Sequence, residues 1–458
     1  MSHQDKKVAD RLQADYLKLA LQWLLTSVTW SQVALRSDCS WTPTLLASSA
    51  LLWAWSDELT LGERFRTARS IIVFLFPGQQ TPAGSYQAFT KILRRWTASL
   101  VACIQTSLRD RLPRALPEFW LVQGFMLFGV DGSRVELPRT VSNESCYAAS
   151  RKKKRTSKKR GGKSRKRKHS RKADAPHMWL TTMLHIGAGL PWDWRTGPAD
   201  SSERAHLLEM LAALPQAALI AADAGFVGYE YAQAVLDSGR NLLIRVGANV
   251  RLLKKLGYAR EVAGTVYLWP DRAAQKNQPP LVLRLVVAHN GKHPVYLLTS
   301  VLFSSQLSDQ QVIALYARRW GVELFYRNLK QTFQRRKLRS TTPDNAEVEM
   351  QWSYVGLWAM ALYALVEAAK HGTPPNKLSI AQMLLAFRRT LRDYRHPRVR
   401  GQSLCARLRL AVIDSYVRKN KASRNYPRKK QESPPGSPII LHASRPQVQA
   451  AQRLRRPA

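Results

Sequence analysis

Three stretches of the chain place carboxylates where a carboxylate can do chemistry. Asp131 ends the apolar run FMLFGV and is followed by Gly132, while Asp223 ends AALIAA and is followed by Ala224 and Gly225. An acid leaving a buried strand, next to a residue without bulk, can face a cleft that backbone and ligand both approach closely. The third stretch, YARRWGVELFYRNLK, sets Tyr316, Arg319, Glu323 and Lys330 at offsets 0, 3, 7 and 14. At about 100° per residue these four fall within roughly 60° of one helix face, as a stripe about 21 Å long. One acid flanked by Tyr, Arg and Lys suits a metal at the centre of such a stripe and phosphates along it. Each piece alone also has an ordinary reading. A strand-ending Asp commonly starts a turn, and an exposed helix face commonly pairs Arg with Glu.

These side chains need a scaffold, and the pattern around them changes at Phe119. The runs FMLFGVDG, MWLTTMLHIGAG and AALIAADAG read as buried strands, and helical spacing at Ser201 to Leu214 and Tyr229 to Ser238 makes the region mixed α/β. Residues 241–304 look rich in strands and hairpin punctuation, a β-rich insertion ahead of a long helical region from Ser308 to about His371. Residues 1–118 carry apolar residues at helical spacing, so a helical N-terminal domain is expected there. Its basic Arg64, Arg66, Arg69, Lys91, Arg94 and Arg95, interleaved with Phe65, Phe89 and Trp96, make it a candidate DNA-binding unit. The catalytic domain is expected over 119–390, and 391–458 reads as a basic, mostly flexible tail.

Charge narrows the function classes. Across 458 residues, 72 Lys and Arg against 31 Asp and Glu give a net charge of +41 and a pI near 10.7. A surface so positive calls for a polyanionic partner, nucleic acid before an anionic membrane or an acidic protein. The most apolar stretch, Tyr354 to Val366, has 13 residues between Glu349 and Glu367, shorter than a bilayer core requires. The N-terminus shows no apolar signal segment, and Cys39, Cys103, Cys146 and Cys405 form no metal-ligand spacing, which fits a reducing cytoplasm. Residues 151–172 hold fifteen Lys or Arg among 22 residues and no acid; such a segment cannot bury a core and reads as a disordered, phosphate-binding loop.

The spacing Tyr, two residues, Arg, three residues, Glu, six residues, Lys resembles the signature around the catalytic Glu of DDE transposases of the bacterial insertion-sequence family four. All four positions match, and the contexts VDGSRV and ADAGFVG resemble that family's first and second Asp motifs in the right order. The resemblance covers about residues 119–371. It implies a ribonuclease-H-like fold with Asp131 on the first central strand, Asp223 after a later strand and Glu323 on a helix. It also implies that these three hold Mg²⁺, with Mn²⁺ able to substitute. Tyr316, Arg319 and Lys330 would hold phosphates, with Arg245 a further DNA contact and Trp269 a candidate for stacking on an unpaired base. The implied partners are the terminal inverted repeats of a transposon and a target DNA, bound by a homodimer in a bacterial cytoplasm, at the nucleoid. No cofactor beyond the metal and no membrane is implied. The basic run at 151–172 is unaccounted for by the resemblance. A DNA-binding protein without catalysis, or a nuclease of the same fold, is the alternative.

Overall fold

Leu127, Phe128, Gly129 and Val130 are all buried, and this continuous apolar run makes a central strand rather than an edge. The computed structural model describes residues 16–36, 38–78, 84–149, 175–290, 293–395, 402–413 and 436–455. Five strands form one half of its sheet, with β3 at the edge: β1 (Leu127–Glu136), β2 (His177–His185), β3 (Leu190–Gly197), β4 (Leu219–Ala222) and β5 (Asn241–Val246). They lie in the order β3-β2-β1-β4-β5. β1 runs antiparallel to β2, and β2 to β3, while β1, β4 and β5 are mutually parallel along the row. This is the mixed α/β, ribonuclease-H-like arrangement. The expected loop at 151–172 lies outside the described residues.

Short helices α5 (Val141–Tyr147), α6 (Glu203–Met210) and α7 (Tyr229–Asp237) occupy the connections. Strands β6 (Arg251–Lys254), β7 (Thr265–Leu268), β8 (Leu281–Asn290) and β9 (His293–Thr299), with α8 (Asp271–Gln275), follow β5. They extend the same sheet, because β9 pairs antiparallel with both β5 and β8. β5 therefore belongs to the centre of the sheet, although its sequence resembles the hairpin strands that follow it.

The long helical region divides into α9 (Asp309–Arg318), α10 (Gly321–Arg327) and α11 (Pro343–Ala369), with a π-helical turn at Asn328–Thr332. α11 is long and apolar enough to span a bilayer by composition, yet 89% of its most apolar window is buried inside the protein. It is the core helix against which the N-terminal elements pack: α1 (residues 16–25), α2 (Pro43–Trp55), α3 (Leu61–Leu75) and α4 (Tyr86–Ala115). Trp55 Nε1 donates to the Gly356 carbonyl at 2.8 Å, and Trp352 Nε1 to Thr97 Oγ1 at 3.0 Å. A Cβ at Gly356 would stand 3.0 Å from the Ala54 methyl, so α2 and α11 approach at backbone distance. The N-terminal helices thus share one core with the sheet. Phe65 and Phe89 stack at 4.6 Å inside that core, and Arg64, 1% exposed, donates to the Glu58 carbonyl. These three cannot meet DNA as placed, and Phe65 and Phe89 are packing residues.

Beyond α12 (Ile380–Arg395) and α13 (Leu404–Arg409), the described residues 436–455 form regular elements. β10 (Ile439–His442) pairs in parallel with β6, and α14 (Arg445–Arg455) follows it. β6 would otherwise be a bare edge, and covering it satisfies its outward N–H and C=O groups.

Candidate functional site

The register of the parallel strands sets the first two carboxylates side by side. Gly129 on β1 pairs with Ala221 on β4. Asp131 and Asp223 each lie two residues further on, so both side chains leave the same face at the same height. Asp131 Oδ1 accepts the adjacent Gly132 N–H within β1, and Asp223 Oδ1 caps the turn after β4 by accepting the Gly225 N–H, both at 2.8 Å. On β5 Ile244 pairs with Ala222, which brings Arg245 alongside Asp223.

That face is the one α10 packs on. A Cβ at Gly129 would meet Val322 Cγ2 at 2.7 Å and Ile186 Cδ1 at 2.8 Å, so only glycine lets α10 come this close. Tyr326, also on α10, directs its hydroxyl to the carbonyls of Asp131 (2.9 Å) and Leu180 (3.1 Å), tying the helix to β1 and β2. With Val322 and Tyr326 fixed inward, Glu323 is carried to the Asp131 side. The Arg319 guanidinium stands between the two acids, 3.2 Å from Glu323 Oε1 and 3.8 Å from Asp131 Oδ2.

The stripe anticipated on one helix is assembled from three pieces. Tyr316 lies on α9, Arg319 at the junction, Glu323 on α10 and Lys330 in the π-helical turn. The turn re-aims the lysine, and Lys330 Nζ donates to Ser133 Oγ at 2.6 Å, two residues past Asp131 on β1. Tyr316 lies under the Arg319 guanidinium at 5.8 Å and feels the charges of Arg319 and Arg245. Burial raises the Tyr316 phenol, and those two arginines oppose the rise. Trp269 is elsewhere: it is 5% exposed, and its indole N–H donates to the Gln278 carbonyl at 2.8 Å. It is a core aromatic of the β6–β9 region, and stacking on a base would require it to leave that core.

Electrostatics report the convergence. Burial pushes the Asp131 carboxyl up to about 6; the Gly132 N–H and Arg319 pull it down, and the charges of Asp223 and Glu323 push it up further. Burial disfavours the Arg319 charge, but Tyr316, Asp131, Asp223 and Glu323 outweigh that and raise it. Burial lowers the Lys330 ammonium, with Arg336 adding to the effect and Asp131 opposing it. Acidic charge is therefore in excess around Asp131, and the donors are all hard carboxylate oxygens, the set that suits Mg²⁺. Among the described residues, no three His, Cys, Asp or Glu side chains stand close enough, as placed, to share one ion. Arg319 is the cation between Asp131 and Glu323.

One further acid reaches the site, and the sequence does not single it out. Glu203, the first residue of α6, reads as the ordinary acid of a helix's first turn. Burial raises its carboxyl to about 7, and the charges of Asp131 and Asp223 add to the rise.

Asp131 within β1 and Asp223 directly after β4 thus lie on the sheet face over which α10, carrying Glu323, is packed. Residues 127–357 match the transposase DDE domain family, and the chain belongs to that family. This span holds Asp131, Asp223, Glu323 and all the proposed phosphate contacts. The family depends on divalent metal ions. The chain is 32% identical over 148 residues to the transposase InsG of insertion sequence element IS4 from Escherichia coli (strain K12), 30% of this chain and 32% of that protein. The alignment thus spans about a third of that relative's length. A piggyBac transposase in a synaptic complex with hairpin DNA aligns at 10% identity, over 91% of this chain and 87% of that one, with a TM-score of 0.39.

Proposed function

We propose that this chain is an insertion-sequence transposase that cuts DNA at transposon ends and joins the freed 3′ ends to target DNA, with Asp131, Asp223 and Glu323 as its catalytic carboxylates. The observation that carries this reading is the shared register of Asp131 and Asp223 beneath a helix that delivers Glu323. Those three side chains would hold Mg²⁺, or Mn²⁺ in its place. Bound there, the ions would polarise the phosphoryl group and make water a nucleophile near neutral pH.

The remaining roles belong to the protein's own side chains. Arg319 and Lys330, with Tyr316 and Arg245 beside Asp223, would hold phosphate oxygens in line for displacement. Arg319 would exchange its carboxylate partners for phosphate as the cleft fills. A water oxygen attacks phosphorus at the transposon end, the bond to the 3′ oxygen breaks, and the released 3′ hydroxyl attacks a target phosphodiester in the same way. Two ends must be held together, so a homodimer assembled on DNA is the working unit, acting at the nucleoid. The net charge of +41 supplies the attraction for the DNA backbone.

The test is to incubate the full chain with Mg²⁺, a target plasmid and linear DNA carrying the terminal inverted repeats of its element. Joined products are the expected result. DNA retention without cleavage would reduce the protein to a DNA-binding role, and cleavage without joining would make it a nuclease.

A further inference from the structure

β1 continues past Asp131, and its alternation decides which of its residues face the site. Asp131 and Ser133 leave one face of the strand. Gly132 and Arg134 face the other way, Gly132 against the Glu203 carboxyl of α6 and Arg134 over the Trp179 ring at 4.8 Å. Ser133 therefore stands on the face that α10 covers, about 6.7 Å further along the strand than Asp131.

Lys330 meets Ser133 from the π-helical turn. Its Nζ donates to Ser133 Oγ at 2.6 Å, and the Tyr326 ring centre lies 5.9 Å from the ammonium. Tyr326 is itself fixed, because its hydroxyl reaches the carbonyls of Asp131 and Leu180. The lysine thus arrives at one defined point. Its partner there is a neutral hydroxyl, although Asp131 is near enough to act on its charge. A hydroxyl that accepts from an ammonium still has its own proton to give. Among the described residues the Ser133 O–H meets no acceptor, and the side chain is only half-buried, so an acceptor can reach it from outside.

Two donors side by side, one of them charged, suit an oxygen that carries negative charge. Serine hydroxyls and lysine ammoniums are among the groups that hold nucleic-acid phosphates and so set the register of a bound strand. The step from Asp131 to Ser133 along β1 is comparable to the distance between successive phosphates of one DNA strand. We propose that Ser133 touches the strand being cut, its hydroxyl and the Lys330 ammonium together gripping the phosphate next to the scissile one. This rests on the transposase reading of the same site. The grip sets the strand in register with Asp131, so that the phosphate to be cut falls over the carboxylates and its neighbour over Ser133. A contact of this kind reads no base, so its loss slows the cutting of every end sequence alike.

The test is single-turnover, Mg²⁺-dependent cleavage by the full chain of a duplex carrying its element's terminal inverted repeat. One duplex keeps every phosphate; in the others a single phosphate near the cut, never the scissile one, is replaced by an uncharged methylphosphonate. The proteins are wild type, Ser133→Ala, Ser133→Thr and Lys330→Met, each checked by thermal unfolding. On intact DNA, Ser133→Ala is expected to cleave about tenfold more slowly or worse, as befits a lost hydrogen bond to a charged group, with Ser133→Thr close to wild type. Methylphosphonate at one neighbour of the scissile phosphate should slow wild type and abolish the difference between wild type and Ser133→Ala, while at other positions the difference persists. Lys330→Met should lose much of its own deficit at that same position. Wild-type cleavage of intact DNA by Ser133→Ala, or a deficit undiminished at every modified position, overturns the proposal and makes Ser133 a packing residue. Loss of the two deficits at different positions overturns the shared grip. Wild type that retains the intact duplex without cutting it sinks the transposase reading and this proposal with it, whereas wild type that cuts, beside either of the preceding results, removes only the role of Ser133.

Discussion

Replacing Gly129 with alanine tests how closely the catalytic geometry depends on one backbone approach. The new methyl would lie 2.7 Å from Val322 Cγ2 and 2.8 Å from Ile186 Cδ1, where ordinary contact begins at 3.4 Å. Ile186 can turn its terminal methyl aside. Val322 cannot, because a β-branched side chain on a helix has essentially one rotamer, so relief must come from α10 moving outward by about 1 Å. Overpacking of this kind costs about 1–3 kcal/mol of stability. Glu323 follows Val322 in the chain and moves with it, and a displacement near 1 Å in a catalytic group costs about a hundredfold in rate. Single-turnover cleavage of a transposon-end duplex, at saturating protein and below the Tm of each variant, reads this directly. Gly129→Ala should cleave about a hundredfold more slowly while retaining DNA, and adding Val322→Ala should recover most of the rate by removing the clash. Wild-type cleavage by Gly129→Ala, or a double variant no faster than the single one, would refute the link between this contact and the position of Glu323.

Two further predictions concern what holds the scaffold. His185 is wholly buried among Trp120, Phe128 and Trp192; its Nε2 faces the Trp120 carbonyl at 3.1 Å, and its Nδ1 accepts the Ala188 N–H at 3.2 Å. A proton on Nδ1 would face another N–H, and burial lowers the imidazole from 6.5 to about 4. The unfolded chain therefore takes up the proton first as pH falls. Stability from this group is complete above about 6.5 and declines by about 3 kcal/mol in total toward pH 4. Urea midpoints measured from pH 7 to 4.5 should show that loss in wild type and less of it in His185→Gln; parallel profiles would contradict the assignment. Glu349, 1% exposed, accepts the Arg339 and Ser340 N–H groups at 3.0 Å and Ser340 Oγ at 2.8 Å, and its charge supports buried Arg64 and Arg335. Glu349→Ala should cost about 3–5 kcal/mol in urea unfolding, since it leaves buried cations uncompensated; a loss below about 1 kcal/mol would show that those arginines are satisfied by other groups.

How far the sequence reveals this arrangement depends on the range of the interaction involved. FMLFGVDG and AALIAADAG announce buried strands ending in acids because burial on both faces leaves an unbroken apolar run, and that signal is local. That Gly129 pairs with Ala221, so that both acids emerge at one height, is a register and is not written in either run. β5, NLLIRV, has the same apolar content as the hairpin strands after it, and its parallel partner β4 lies on another segment, so the sequence groups it with the insertion. The break at Arg319 and Trp320 and the π-helical turn at Lys330 lie outside what helical periodicity can foresee. Phe65 and Phe89 show the converse: an aromatic between basic residues looks the same whether it awaits a nucleic acid or fills a core. Glu203 carries no signal at all, since a first-turn acid is common and its neighbour on β1 is Gly132, 71 residues earlier. β10 is hidden for a similar reason, a four-residue strand in a basic, Pro-rich stretch that orders only because β6 offers it an edge.

The most direct measurement is Mg²⁺-dependent strand cleavage by Glu323→Gln and Asp131→Asn, read beside DNA retention and Tm for the same preparations. If the three acids work as one metal-holding cluster, each variant loses cleavage while binding DNA nearly as well as wild type and unfolding at a similar temperature. Cleavage at the wild-type rate by either folded variant would remove that residue from the reaction and contradict the assignment of the site.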